Sequence, residues 1–264
     1  MKTENVHLTY FSATYTTRKV ARAVAGRLPG QLAEHDITAS APTADVALGP
    51  DGDVLVAAVP VYAGRVPVMA ADALRRFRGD ATPAVALCVY GNRAYDDALL
   101  ELCDILSGQG FAVIAAGAFV ARHSIFTQIA AGRPDEADMA AAAAFGDRCA
   151  AMLAATPAPC RLKAPAVPGS RPYREPGAIP IYPSGSRKKC DRCNLCVDLC
   201  PVHAIQPERP TRSDGSLCMS CGRCVEICPQ HTRCFSGVTY KAAERRLTKL
   251  CRERREPELF FAEP

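Results

Sequence analysis

Along the first 155 residues the apolar positions switch between two spacings. Runs at 54–61, 84–90 and 111–120 are almost unbroken in apolar residues, as a strand buried on both faces requires. Shorter runs at 6–11 and 32–38 read as two further strands. Between them apolar residues recur every three or four positions, the helical spacing. Val20, Val24 and Leu28 fall on one face of 16–28, and Leu99, Leu102 and Leu106 on one face of 95–106. Residues 68–77 and the Ala-rich stretch 135–154 complete four helices, the last ended by Pro157 and Pro159. Five strands alternating with helices predict an α/β fold with a doubly wound parallel sheet. Ligands in such folds sit beyond the C-terminal ends of the strands, where the strand order reverses. The loops after strands one, three and four are therefore the place to look for a site.

Composition narrows this picture. Hydrophobic residues make up 48% of the 264 positions, enough for a sizeable core, but Trp is absent and aromatics reach only 6%. The core must be mostly Ala, Val and Leu. The net charge of +5 is concentrated in 156–189, where seven Lys/Arg face one Asp/Glu. That stretch also holds eight prolines, so it reads as an extended, stiff, basic linker. Its charge is either solvated or laid against an anionic group. A nucleic-acid-binding face would follow a folded element instead, so no nucleic-acid partner is expected. No apolar run approaches the ~20 residues of a membrane helix, and no leader pattern opens the sequence. The chain reads as soluble and cytoplasmic, with thiols reduced or bound to metal.

The cysteines carry the strongest signal. Eight of the fourteen fall within 39 residues, in two copies of one pattern. The first is Cys190, Cys193, Cys196 and Cys200-Pro201; the second is Cys218, Cys221, Cys224 and Cys228-Pro229. Structural zinc normally uses two ligand pairs across a longer loop, which this pattern fits poorly. The spacing resembles the cluster-binding run of bacterial ferredoxins, which implies two [4Fe–4S] clusters. Three thiolates at two-residue intervals wrap one corner of a cluster. The fourth points away on a short turn and reaches the other cluster. Cluster one is then expected on Cys190, Cys193, Cys196 and Cys228, and cluster two on Cys218, Cys221, Cys224 and Cys200. Of the remaining cysteines, Cys88, Cys103 and Cys149 read as small buried hydrophobes. Cys160, Cys234 and Cys251 sit in no ligand pattern.

The loop after the first strand, Ser12-Ala13-Thr14-Tyr15-Thr16-Thr17, leads into a helix. Hydroxyls and free N–H groups at a helix start make an anion site, though Ser and Thr there also serve as ordinary caps. The loops Pro60-Val61-Tyr62-Ala63-Gly64 and Tyr90-Gly91-Asn92-Arg93-Ala94-Tyr95-Asp96 lie at the same end of the sheet. Their rings and glycines suit a flat heterocycle, or simply tight turns.

On FSATYTT at 11–17, PVYAGRVP at 60–67 and VYGNRAYDDALLEL at 89–102, residues 1–155 resemble flavodoxin. With the two cysteine runs, the whole chain resembles flavodoxin-like/ferredoxin fusion proteins of the EFR type. The resemblance implies a five-stranded sheet of order 2-1-3-4-5 over 1–155, a linker over 156–189, a small α+β bacterial ferredoxin domain over 190–238, and a helix and tail over 239–264. It implies FMN, with Ser12, Thr14, Thr16 and Thr17 on the phosphate, Tyr62 bordering the ring system and Tyr95 stacking on its other side. Tyr15 stands where flavodoxins often have Gly, so its side chain is expected to turn outward.

Clusters with a flavin point to an electron carrier between redox partner proteins. Two alternatives stay open. One is a flavin-dependent reductase of a small molecule or quinone, with Tyr62, Arg93, Arg122 and His123 as the available proton donors. The other is a flavodoxin-like unit that binds no cofactor and only docks a partner. The sequence does not define the oligomeric state.

Overall fold

The structure, a computed structural model, describes residues 2–177 and 180–263. Its first part runs β1 (Asn5–Tyr10), α1 (Thr16–Ala25), β2 (Gln31–Asp36), β3 (Val46–Leu48), β4 (Asp53–Pro60), α2 (Val68–Leu74), β5 (Phe77–Gly79), β6 (Thr82–Tyr90), α3 (Ala98–Gly108), β7 (Phe111–Val120) and α4 (Glu136–Ala155). Strands pair in parallel in the order β7-β6-β4-β1-β2, while β3 and β5 form a separate two-stranded ladder. β4 is buried on both faces, as its unbroken apolar run requires, and its side chains alternate between two cores. Leu55, Ala57 and Val59 enter a core with α2 and α3, and Val54, Val56 and Ala58 enter a second core with α1 and α4. Full burial of a side chain such as Leu55 or Leu87 contributes about 1.5–3 kcal/mol.

The main sheet has six strands, which corrects the expected five. The extra strand is β10 (Glu258–Phe261), antiparallel to β7 at the edge. Leu259 lies opposite Gly117, where an added Cβ would meet Phe119 at 2.7 Å. Phe260 packs on one core and Phe261 on the other, against Phe145 and under the Arg148 guanidinium. The region expected as a plain tail therefore finishes the sheet.

The cysteine-rich part contains β8 (Ser184–Gly185), α5 (Leu195–Asp198), α6 (Arg223–Glu226) and β9 (Arg233–Cys234), followed by α7 (Val238–Leu250). The sequence repeat reappears in the backbone. Left-handed φ values at Arg192, Asn194 and His203 recur at Ser220, Gly222 and His231, each 28 residues on. α5 and α6 each start just after one of these left-handed residues.

The proline-rich stretch does not span free space. Asp97 accepts hydrogen bonds from the N–H groups of Ser170 and Arg174, at 2.9 and 2.7 Å. Arg171 pairs with Asp104 and Arg174 with Asp96. Two of its charges are thus spent on carboxylates of the α/β unit. A third apolar cluster joins the parts: Ile125, Phe126 and Ile129 meet Ile181, Phe235 and Cys251, with Tyr240 of α7 stacked on Phe126. No helix among the described residues is long and apolar enough to cross a membrane.

Candidate functional site

The fold draws the eight cysteines of the repeat into two groups. Cys190, Cys193 and Cys196 line one small cavity with Cys228 from the second run. Cys200, from the first run, is an electrostatic neighbour of Cys218, Cys221 and Cys224. The two out-of-run sulfurs accept backbone hydrogen bonds, Cys200 from Ala204 N at 3.3 Å and Cys228 from Thr232 N at 3.4 Å. Apolar residues, among them Ala204, Ile205 and Val202, pack around Cys200 and Cys224. Left-handed residues break both runs into tight turns, the backbone conformation from which anion-binding nests are built.

Among the described residues, no three or more His, Cys, Asp or Glu converge on a single metal ion. A cubane cluster needs no such convergence, because each thiolate binds a different iron. Burial pushes the Cys221 thiol up to about 12 and Cys224 to about 11, so a bound cation is needed to hold them as thiolates. This donor set fits two four-thiolate clusters.

One contributor was not legible from spacing. Arg233 is 3% exposed and donates to the carbonyls of Pro210 and Pro183 and to Ser213 Oγ. It lies in electrostatic range of Cys196 in one group and of Cys218 and Cys224 in the other. A fixed cation there would offset the negative charge of a cluster held by either group.

At the C-terminal end of the sheet, Ala13, Thr14, Thr16 and Thr17 line a narrow cleft with Val61, Tyr62 and Gly91. Of the first amides of α1, those of Thr16 and Thr17 have no intrahelical acceptor and are free for an anion, while that of Arg18 is taken by Ser12. Ser12 is used differently. It is buried, its hydroxyl accepts from Arg18 N at 3.0 Å, and its N–H donates to Thr38. Tyr15 takes the left-handed conformation, φ 63°, that a Gly would adopt without strain. Its ring turns away from the cleft and lies between the guanidiniums of Arg18 and Arg223, at 4.8 and 4.9 Å.

The cleft opens into a chamber of about 370 Å³ that shares Val61, Tyr62, Tyr90, Gly91, His123 and Ser124 with it. Ala63, Gly64 and Arg93 line the chamber as well, and Pro60 lines the cleft. The roof was not foreseen. It comes from Met219 and Ser220 of the second cysteine run, Ile181, and Thr239, Ala243 and Leu247 of α7. The far wall is the loop after β7, from His123 to Phe126. Its volume and mostly apolar lining suit a flat heterocycle.

Three expected residues of the loop after β6 also lie elsewhere. Tyr95 is buried, edge-on to Tyr90, and donates to Glu258 at 2.7 Å, so it presents no stacking face to the chamber. Asp96 pairs with Arg93 and Arg174. Asn92 is buried and donates to the carbonyls of Cys251 and Glu253, at 3.0 and 2.8 Å, while accepting from Arg255 N. All three hold the returning C-terminal segment or the linker rather than a ligand.

Residues 189–232 match the family model of the 4Fe-4S dicluster domain. The chain thus joins a doubly wound, mainly parallel α/β unit to a dicluster-type region. No curated protein matches it in sequence. Among solved structures it is similar to rubredoxin oxygen:oxidoreductase from the anaerobe Desulfovibrio gigas, at 17% identity and a TM-score of 0.41, over 58% of this chain and 37% of that one. It is also similar to the Streptococcus pneumonia TIGR4 flavodoxin, at 17% identity and 0.39, over 56% of this chain and 98% of that one. An NADH:FMN oxidoreductase, EmoB, matches at 18% identity and 0.41, over 59% and 92%. Identity and score this low leave the chemistry to be read from this chain's own residues.

The proton donors considered for a reductase are engaged otherwise. Burial, helped by the Arg93 charge, lowers His123 to about 4, and its Nδ1 accepts from the N–H groups of Ile125 and Phe126. It is neutral at physiological pH. Burial raises the Tyr62 phenol well above its ordinary range. Arg122 pairs with Glu226 of α6 at 2.8 Å, tying the loop after β7 to the cysteine-rich part.

Proposed function

We propose that this chain is an electron-transfer protein in which two [4Fe–4S] clusters and an FMN form one relay. The observation that carries this reading is the roof of the chamber. Met219 and Ser220 lie between Cys218 and Cys221 in sequence and also close the space expected to hold the flavin ring. Cluster two and the flavin would then be separated by the side chains of one short loop. FMN exchanges electrons singly or in pairs, and the clusters pass them singly.

The chain's residues set the order of the relay. Cys221 and Cys224 are buried, whereas Cys193 is exposed, so cluster one is the outer station. Arg187, Lys188, Lys189 and Arg192 are all exposed around it. This collar suits an acidic redox partner, which it would steer toward cluster one. Electrons then enter or leave at cluster one and meet the flavin through cluster two.

Rapid mixing with a reduced, acidic plant-type [2Fe–2S] ferredoxin tests the relay. Flavin reduction through the clusters is expected. Arg187→Glu with Lys189→Glu should slow it about tenfold at low salt and flatten its dependence on ionic strength. Equal rates in both proteins at every salt concentration, or flavin reduction that persists after the clusters are removed, would contradict the order.

A further inference from the structure

Arg223 is the least explained charge in the molecule. It stands between Cys221 and Cys224 in the cluster-two loop and is 7% exposed. Its side chain leaves its own unit and reaches the first loop of the α/β unit. Nη1 is 3.4 Å from the carbonyl oxygens of Ser12 and Ala13, and the guanidinium lies 4.9 Å from the Tyr15 ring centroid. Nε is buried with no hydrogen-bond partner, and among the described residues no carboxylate closes an ion pair with it. The next residue back, Gly222, has φ 80°, and a Cβ there would meet Ser124 O at 3.0 Å and Thr14 at 3.5 Å. Gly222 thus packs against Thr14 and Ser124, which line the cleft together with Thr16 and Thr17.

A buried guanidinium held by two long carbonyl contacts and a ring face is poorly compensated, and such a charge is costly unless an anion joins it. The loop from Ser12 to Thr17 supplies hydroxyls and amides for an anion but no cation, and Arg122, which also lines the cleft, is already paired with Glu226. Each side has what the other lacks. We propose that Arg223 is a phosphate-binding residue of the flavin site, supplied by the cluster-two loop, and that it makes retention of FMN and of cluster two mutually dependent. The proposal rests on the flavin reading above. Tyr15 has a role in it: where a Gly would leave open space, its ring positions the guanidinium on the loop. Because coupling between two bound groups is reciprocal, FMN should strengthen cluster two by the same factor by which the cluster strengthens FMN.

The test is a pair of fluorescence titrations on cluster-replete protein, with FMN and with riboflavin, which lacks the phosphate. Arg223→Gln should raise the Kd for FMN at least about tenfold, the size expected for a lost charge-assisted contact, and leave riboflavin unchanged. Arg223→Lys should recover part of the loss. In the wild-type protein, FMN should slow the release of iron to a chelator, and riboflavin should not. Unchanged FMN affinity in Arg223→Gln, or equal losses for both ligands, overturns the link. A wild-type protein that binds neither ligand overturns the flavin reading itself, and the link with it.

Discussion

Cys200→Ala is expected to remove cluster two and spare cluster one, although Cys200 belongs to the first cysteine run. Iron should fall from about eight to about four atoms per chain. The physical reason is the turn that follows α5. It carries Cys200 away from Cys190, Cys193 and Cys196 and leaves it beside Cys218, Cys221 and Cys224. Cys228 makes the mirror-image crossing, so Cys228→Ala should remove cluster one. Electron paramagnetic resonance of the reduced variants, read with the iron content, identifies the surviving cluster. Loss of cluster one in Cys200→Ala would show that each run closes on itself. The crossing also predicts that neither run holds a cluster alone. Each would lack its fourth thiolate, and the buried thiols would lose the charge that compensates them.

Asn92→Ala is expected to cost about 2–4 kcal/mol, several degrees in Tm, because one side chain closes three hydrogen bonds to the chain just past α7. Truncation leaves the carbonyls of Cys251 and Glu253 and the N–H of Arg255 without that partner. The same segment leads into β10, so the clamp helps hold the sixth strand on β7. Thermal unfolding of the reconstituted protein reads the effect. An unchanged Tm with weakened flavin binding would return Asn92 to the role the loop sequence suggests, that of a ligand-binding residue.

That contrast shows what was legible beforehand. β4 and β6 could be read because burial on both faces leaves an unbroken apolar run. β10 could not: Glu258-Leu259-Phe260-Phe261 is too short to carry a period, and its pairing depends on Gly117 and Phe145 far along the chain. The site loops could be located from Gly and aromatic residues at the strand ends. Which side chains face the chamber could not, because the returning C-terminal segment decides it. Tyr90, Gly91 and Arg93 line the chamber, while Asn92, Tyr95 and Asp96 are turned to other partners within the same seven residues. The cysteine spacing displayed the repeat but not the arginines between and beyond its ligands. Arg223 and Arg233 look like surface charges in sequence and are among the most buried cations in the fold. The Tyr15 substitution becomes intelligible only once Arg223 is placed against it.

The central claim is that one chain carries two clusters and a flavin with cluster two against the flavin chamber. Anaerobic reconstitution with iron, sulfide and FMN, followed by removal of unbound material and analysis per chain, tests it most directly. The expected result is about eight irons, about eight sulfides and about one releasable FMN. Fewer than about four irons, or cluster absorbance with no releasable FMN, would contradict it.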